Sequence, residues 1–323
     1  MAGARRLVER VAGPGARSRV APPGLLPLPR PPVAPAPPTR PTPPEGANNL
    51  VIVVLDSCRF DSFLAAGATR TAALGPLERR WSYASWTAPS HYNLLMGLLP
   101  HGSPTQVFAS DYYKRDLARY AERLGIEDMS FQRLLPSLYL PSFLRDALGY
   151  HTSAMVSMPV LNPTTPLNVG FDSYELMPTH NDFRAMLDRL DFPDDRPSFH
   201  LLNVGETHYP YAVPGDEPAD WPRISGLHGV VKHLDAALAA DAGGEIADFF
   251  TDRQLADLRA RQVHATRYCD AVIGDLLDAV PSRTWVIVTA DHGELFGEAG
   301  YFGHGPIAHE KVFEVPFVEG RVR

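Results

Sequence analysis

The stretch Trp285-Val-Ile-Val-Thr-Ala-Asp291-His292-Gly293-Glu294 decides the fold of this chain. Its apolar, β-branched run is typical of a buried strand in a parallel sheet, and it stops abruptly at a carboxylate and an imidazole. In open α/β sheets, polar residues just past the carboxyl end of a strand lie where ligands bind. A carboxylate and an imidazole together form a metal-binding pair, although a solvated Asp-His turn would have the same sequence.

A second strand of the same kind occurs near the front of the chain. Leu50-Val-Ile-Val-Val-Leu55 is apolar throughout and ends at Asp56. We predict that the two strands deliver Asp56, Asp291 and His292 to one edge of a sheet. Two buried carboxylates repel each other unless a cation or a proton lies between them, and a divalent metal cation is the simplest solution.

A third segment supplies a hydroxyl group. Trp86-Thr87-Ala88-Pro89-Ser90-His91 leads into a predicted helix with Pro89 in its first turn and Thr87 or Ala88 as its N-cap. A hydroxyl at such a position is ordinarily only a cap. Beside a metal, Thr87 becomes a candidate nucleophile, because the metal lowers the pKa of the hydroxyl and the helix N-terminus stabilises an attacked anion such as phosphate.

The order of these blocks resembles the alkaline phosphatase superfamily, and most of all its sulfatase-like branch. The matching stretches are Asp56-Ser-Cys-Arg-Phe-Asp61, Thr87-Ala-Pro-Ser90, Phe143 to Thr152, Gly170-Phe-Asp-Ser-Tyr174, Asp291-His-Gly-Glu294, Gly303-His-Gly305 and Val315-Pro-Phe317. The resemblance covers roughly residues 46–323. It implies an α/β fold, a three-layer sandwich with a mostly parallel central sheet and helices on both faces.

The resemblance also implies roles for individual residues. Asp56, Thr87, Asp291 and His292 would hold one divalent metal, which could be Mn, Mg, Ca or Zn, and Thr87 would also be the nucleophile. His304 would be a substrate contact or a ligand of a second metal. His208, in His208-Tyr-Pro-Tyr211, looks like a substrate-contacting histidine that binds or protonates a phosphoryl oxygen, although a loop histidine bonded to backbone is the alternative. A possible second metal site would consist of Glu206, His208 and His304.

Two departures from the sulfatase pattern bear on the substrate. The sulfatase motif is Cys/Ser-x-Pro-x-Arg, in which the first residue is oxidised to formylglycine, whereas this chain has Thr87 and His91 at the two ends. Threonine cannot form formylglycine, because its oxidation would give a ketone. We therefore expect a hydrolase or phosphotransferase of phosphate esters that forms a phospho-threonine intermediate. The alternatives are a sulfuric or phosphonic ester hydrolase without formylglycine and a non-catalytic metal-binding member of the fold.

The composition of the chain limits which partners we expect the protein to have. The chain has 323 residues, a net charge of −7 and a pI of about 5.9, which favours neither nucleic acid nor an anionic membrane as a partner. Two cysteines make no disulfide framework, and no apolar run is long enough for a membrane span. We expect a cytoplasmic enzyme acting on a small-molecule or conjugated ester. The sequence provides no basis for an oligomeric state.

Two regions differ in composition. Residues 1–46 are rich in proline and arginine and hold few large apolar residues, so we expect a disordered tail. Residues 47–323 would form the catalytic domain.

Overall fold

A seven-stranded sheet forms the centre of the protein. The computed structural model describes residues 40–102, 109–135, 138–215, 250–305 and 307–323. The predicted tail lies almost wholly outside these ranges and stays a prediction. The strands are β1 (Asn49–Leu55), β2 (Glu78–Trp81), β3 (His151–Val156), β4 (Ser173–Leu176), β5 (Ser198–Val204), β6 (Thr284–Thr289), β7 (Leu295–Phe296), β8 (Phe302–Gly303) and β9 (Glu314–Arg321). The sheet order is β2-β9-β6-β1-β5-β3-β4, and a separate two-stranded sheet pairs β7 with β8.

The two strands predicted from their apolar runs lie side by side. β1 pairs in parallel with β6, with Leu50 opposite Trp285 and Val54 opposite Thr289. β1 also pairs in parallel with β5 on its other side. β9 pairs antiparallel with both β2 and β6, and the other strand pairs of this sheet are parallel, so the sheet is mostly parallel, as predicted.

Helices cover both faces of the sheet. The α-helices are α1 (Phe60–Ala66), α2 (Thr87–Leu95), α3 (Ala109–Ala118), α4 (Tyr120–Leu124), α5 (Phe131–Leu134), α6 (Leu140–Ser142), α7 (Phe183–Leu187), α8 (Asp252–Ala279) and α9 (Glu310–Phe313). A π-helical turn, Phe143–Ala147, extends α6, and single 3₁₀ turns occupy Thr71–Ala73, Pro159–Leu161, Pro166–Asn168 and Glu298–Gly300. Within the described residues, no helix is both long and apolar enough to cross a membrane.

The alternation of side chains along β1 creates two cores. Leu50, Ile52 and Val54 pack on the face that α2, α4 and α6 cover. Val51, Val53 and Leu55 pack on the opposite face, against α1, α7 and α8. Because successive side chains of a strand point to opposite faces, a fully apolar strand requires cover on both sides. The expected three-layer sandwich is therefore confirmed.

One local prediction about α2 is wrong. The N-cap is Trp86, which is extended and makes no side-chain capping bond, and Thr87 is the first helical residue. Pro89 still lies in the first turn, where its missing N–H has no intrahelical partner to lose. Consequently the Thr87 hydroxyl is not engaged as the N-cap.

Candidate active site

Three candidate metal ligands meet at the carboxyl edge of the sheet. Asp56 follows β1, while Asp291 and His292 follow β6, and all three are buried. Their ligand atoms lie within 4.8 Å of one another. Among the described residues, this is the one group of three or more His, Cys, Asp or Glu side chains that meets so closely.

The turns that carry these ligands depend on unusual backbone positions at Ser57 and Gly293. Ser57 has a positive φ of 60°, and its N–H donates to Asp291 Oδ1 at 3.0 Å. A non-glycine residue in this region is strained, so the contact with Asp291 helps to hold it there. Gly293 allows a close approach, because a Cβ there would lie 2.1 Å from the carbonyl oxygen of Lys311.

The electrostatics of the two aspartates differ. Burial opposes ionisation of Asp56, but the imidazoles of His208, His292 and His91 outweigh it and bring the pKa of Asp56 below its ordinary value. Burial, followed by the charge on Asp56, raises the pKa of Asp291 well above its ordinary value. The pair thus resists carrying two negative charges without a cation between them.

The donor set fits a divalent cation. His292 Nδ1 lies 2.9 Å from the carbonyl oxygen of Gly293, which orients the ring and leaves Nε2 to face the carboxylates. Burial lowers the pKa of His292 well below its ordinary value, which favours the neutral imidazole that can offer a lone pair to a metal. Asp291 Oδ2 is buried without a hydrogen bond, and Nε2 of His292 lies 3.4 Å from it. Two carboxylates and one neutral imidazole are ligands that Zn and Mn accept.

Thr87 lies beside this group. Its Oγ1 is 3.3 Å from His292 Nε2, and the residue is buried. The first turn of α2 therefore presents its hydroxyl to His292, one of the predicted ligands. Among the candidate residues, Asp56, Thr87, Asp291 and His292 are brought together.

Two further predicted residues, His304 and His208, lie next to them. The His304 ring is 4.2 Å from the His292 ring, centroid to centroid, and 5.4 Å from the His208 ring. His208 Nδ1 lies 2.9 Å from the carbonyl oxygen of Tyr209, a backbone contact of the kind that the alternative interpretation expected. The two histidines nevertheless line the same side of the site.

Glu206 does not form a cluster with His208 and His304. Its Oε1 accepts the N–H of Phe183 at 2.9 Å, and its Oε2 is buried without a hydrogen bond. Glu294 is the carboxylate that contacts His304 instead, with Oε1 3.2 Å from His304 Nδ1. Its second oxygen accepts a hydrogen bond from the Tyr211 hydroxyl.

One residue of the site, Asn203, escaped the sequence-based reasoning. Asn203 Nδ2 donates to Asp56 Oδ2 at 2.8 Å, and Asn203 Oδ1 accepts the N–H groups of Ser157 and Met158. A lone amide inside the apolar strand β5 was the available signal. Glu294 ends the Asp291-His-Gly-Glu294 motif, where a loop carboxylate either orients the site or faces solvent, and the structure has it buried against His304.

Comparison with known proteins identifies the family. The sulfatase family model matches residues 48–318, so this chain belongs to the sulfatase family. No curated protein sequence matches it. The fold and site define a member of the alkaline phosphatase superfamily, within its sulfatase-like branch.

Three solved structures show the same fold at low identity. The C-terminal periplasmic domain of EptC from Escherichia coli, solved with Zn, is 14% identical, with a TM-score of 0.50 and coverage of 86% of this chain and 73% of that one. The soluble domain of lipooligosaccharide phosphoethanolamine transferase A from Neisseria meningitidis is also 14% identical, with a TM-score of 0.50 and coverage of 86% and 78%. BT1596, a 2-O GAG sulfatase, is 14% identical, with a TM-score of 0.51 and coverage of 86% and 65%. Because one of these proteins is a periplasmic domain, the comparison lends no support to the cytoplasmic location expected from composition.

Proposed function

We propose that this chain is a metal-dependent hydrolase or phosphotransferase of phosphate esters with Thr87 as its nucleophile. The observation that carries the proposal is the position of the Thr87 hydroxyl, which faces His292 Nε2 at 3.3 Å rather than capping α2. Threonine at this position cannot form formylglycine, which weighs against ordinary sulfatase chemistry. The Zn in the EptC structure and the transferase activity named for the Neisseria protein are consistent with phosphoryl transfer.

The cation would be held by Asp56, Asp291 and His292, with Thr87 beside them. When bound, a divalent metal would lower the pKa of the Thr87 hydroxyl and neutralise charge on a phosphoryl oxygen. The other steps belong to side chains. Thr87 Oγ1 attacks phosphorus, and the bond from phosphorus to the leaving alcohol breaks, which gives a phospho-threonine.

Protons are balanced by the histidines. Thr87 releases its proton to solvent water as it attacks, and the leaving alkoxide gains one from His304 or His208. That histidine regains its proton from the water or alcohol that attacks in the second half of the reaction, and the released Thr87 oxygen takes one from solvent. Glu294 Oε1 lies 3.2 Å from His304 Nδ1, a contact that orients the ring, and Nε2 would be the nitrogen that exchanges a proton with the substrate. Water or an acceptor alcohol then attacks phosphorus from the other side and restores the Thr87 hydroxyl. Water makes the reaction a hydrolysis, and an alcohol makes it a transfer.

The test removes and restores the hydroxyl. We expect Thr87→Ala to reduce kcat by about 10³-fold or more on phosphate monoesters and diesters, and Thr87→Ser to retain measurable turnover. Thr165→Ala is the matched control, since the Thr165 hydroxyl donates to the carbonyl oxygen of Asn162 and the residue is half-buried. Undiminished turnover in Thr87→Ala would exclude Thr87 as the nucleophile.

Parallel assays separate the alternatives. A preference for sulfate or phosphonate esters, measured at equal concentrations, would favour the ester hydrolase without formylglycine. Metal binding without turnover of any ester would favour a non-catalytic member of the family.

A further inference from the structure

The buried face of α2 carries three polar residues, Thr87, Ser90 and His91. Their spacing of three and four residues places them on one side of the helix. Ser90 Oγ lies 3.3 Å from Ser82 Oγ, and the Ser82 hydroxyl donates to the carbonyl oxygen of Asp291. This chain of contacts joins α2 to the turn that carries two of the candidate metal ligands.

His91 makes a second connection between α2 and the turn that carries Asp291. Its Nδ1 lies 2.9 Å from the carbonyl oxygen of Thr87 and 3.8 Å from Asp291 Oδ2, and its side chain is 1% exposed. A carbonyl oxygen only accepts hydrogen bonds, so Nδ1 must carry the hydrogen, and the shorter distance directs it to Thr87. In the sulfatase motif an arginine occupies this place.

We propose that His91 is a positioning residue for the nucleophile, an inference that rests on the proposed function of Thr87. The Nδ1–H group holds the carbonyl of the first helical residue, which fixes the backbone of Thr87 and thereby the direction of its hydroxyl. The ring also fills the space between Thr87 and Asp291. A displacement of the hydroxyl by about 1 Å costs up to about 10²-fold in rate, so one such hydrogen bond is enough to matter.

This role makes a specific prediction about which ring nitrogen is needed. Asparagine keeps a donor near the position of Nδ1, whereas glutamine places its amide near the position of Nε2. Arginine restores the residue of the sulfatase motif but has no short donor at the δ position. Compared with His91→Ala, these three variants distinguish two roles for His91: a hydrogen bond that holds the Thr87 backbone, and a direct contact with the substrate.

The kinetic test compares kcat and KM on whichever phosphate ester the full chain turns over best. We expect His91→Ala to lower kcat by about 10- to 100-fold with KM and metal content within about threefold of the parent. His91→Asn should recover most of kcat, and His91→Gln and His91→Arg should not. Recovery by glutamine but not asparagine, or a loss that falls on KM, would overturn the proposal.

Asn93→Ala is the matched control. Asn93 Nδ2 donates to the carbonyl oxygen of Pro89 at 2.9 Å, which is the same spacing of four residues on the same helix, but the side chain is only partly buried. It should keep the kcat of the parent. If Asn93→Ala lost as much kcat as His91→Ala, the effect would be one of helix stability, and the proposal would fail.

A second readout does not depend on turnover. Selective ¹⁵N labelling of the 12 histidines, with the His91 signal assigned by its loss in His91→Asn, reports which ring nitrogen carries the hydrogen. We expect hydrogen on Nδ1 of His91, and hydrogen on Nε2 alone would overturn the proposal. Absence of turnover with every ester would defeat the proposed function, whereas the wrong tautomer in an active enzyme would defeat only the role of His91.

Discussion

Glu206 and Glu294 are buried carboxyl groups whose pKa values lie far from the ordinary 4.5. Burial raises the pKa of each to about 7. Glu294 contacts His304 and Tyr211, whereas Glu206 receives one backbone N–H and keeps an oxygen without a hydrogen bond. Glu206 is therefore the simpler position at which to measure how far ionisation of a buried carboxyl group lowers the free energy of unfolding.

The raised pKa of Glu206 predicts a pH-dependent stability. Between pH 4.5 and about 7 the folded protein retains a proton that the unfolded chain has released, so the free energy of unfolding falls as pH rises through this window. Glu206→Gln removes this contribution. Relative to the parent, the variant should gain about 3 kcal/mol between pH 4 and pH 8.

Urea denaturation in the presence of a chelator, at several pH values, checks this prediction. Glu127→Gln, a change at an exposed glutamate, is the control. Parallel stability curves for the parent and Glu206→Gln would show that Glu206 is ionised without penalty in the folded protein.

At the scale of elements, α8 holds two loops of the site at once. The helix begins with a capping box formed by Thr251 and Gln254 and runs for 28 residues beneath the sheet. Gln262, in its middle, donates from Nε2 to the carbonyl oxygen of Ser57 at 2.9 Å and to that of Thr207 at 3.2 Å. These carbonyls belong to the turn after Asp56 and to the loop before His208.

Gln262→Leu should weaken both the fold and the metal site. Loss of the buried amide leaves the carbonyl oxygens of Ser57 and Thr207 without this hydrogen-bond donor, which should lower the free energy of unfolding by about 1–3 kcal/mol. Metal affinity, measured by calorimetry, should fall as well, because Ser57 adjoins Asp56. Gln132→Leu, at an exposed position, controls for the added leucine. Unchanged metal affinity would mean that the turn after β1 keeps its shape without α8.

The elements that could be predicted from sequence are those with a local signal. β1, β5 and β6 are recognisable in the sequence as apolar runs, because parallel strands are buried on both faces. Each of these runs ends where polar residues of the site begin. The cap of α2 was mispredicted because Pro89 fits anywhere in the first turn. β7 and β8 have two residues each, too few for a periodic pattern.

The site was predictable where motif and strand end coincide, as at Asp56 and Asp291. The contacts of Asn203, Gln262 and Glu294 were not predictable, because each depends on a partner that is distant in sequence. Gln262, for example, meets a carbonyl 205 residues away.

At the scale of the whole molecule, we expect folding and metal binding to be coupled. The candidate ligands Asp56 and Asp291 lie 235 residues apart in the sequence, so the complete site exists only in the folded chain. A ligand that binds only the folded state stabilises it in proportion to the logarithm of its concentration over Kd. Metal should therefore raise Tm.

Removal of the metal tests this coupling. Chelation should lower Tm of the parent, and added Zn or Mn should restore it, with a gain in stability of about 3 kcal/mol at a hundredfold excess over Kd. Asp291→Ala should abolish the response and lose about one equivalent of metal by mass spectrometry. An Asp291→Ala variant that keeps the metal-dependent shift would place the ion elsewhere.

The most direct test of the central claim is to trap the covalent intermediate. Chromogenic phosphate monoesters, phosphate diesters and sulfate esters would each be mixed with the metal-loaded protein, quenched in acid within the first turnovers and digested for peptide mass spectrometry. The account predicts a phosphorus-containing adduct on Thr87 that is missing in Thr87→Ala. Steady turnover of a phosphate ester with Thr87 unmodified, and with the adduct absent or on another residue, would contradict it.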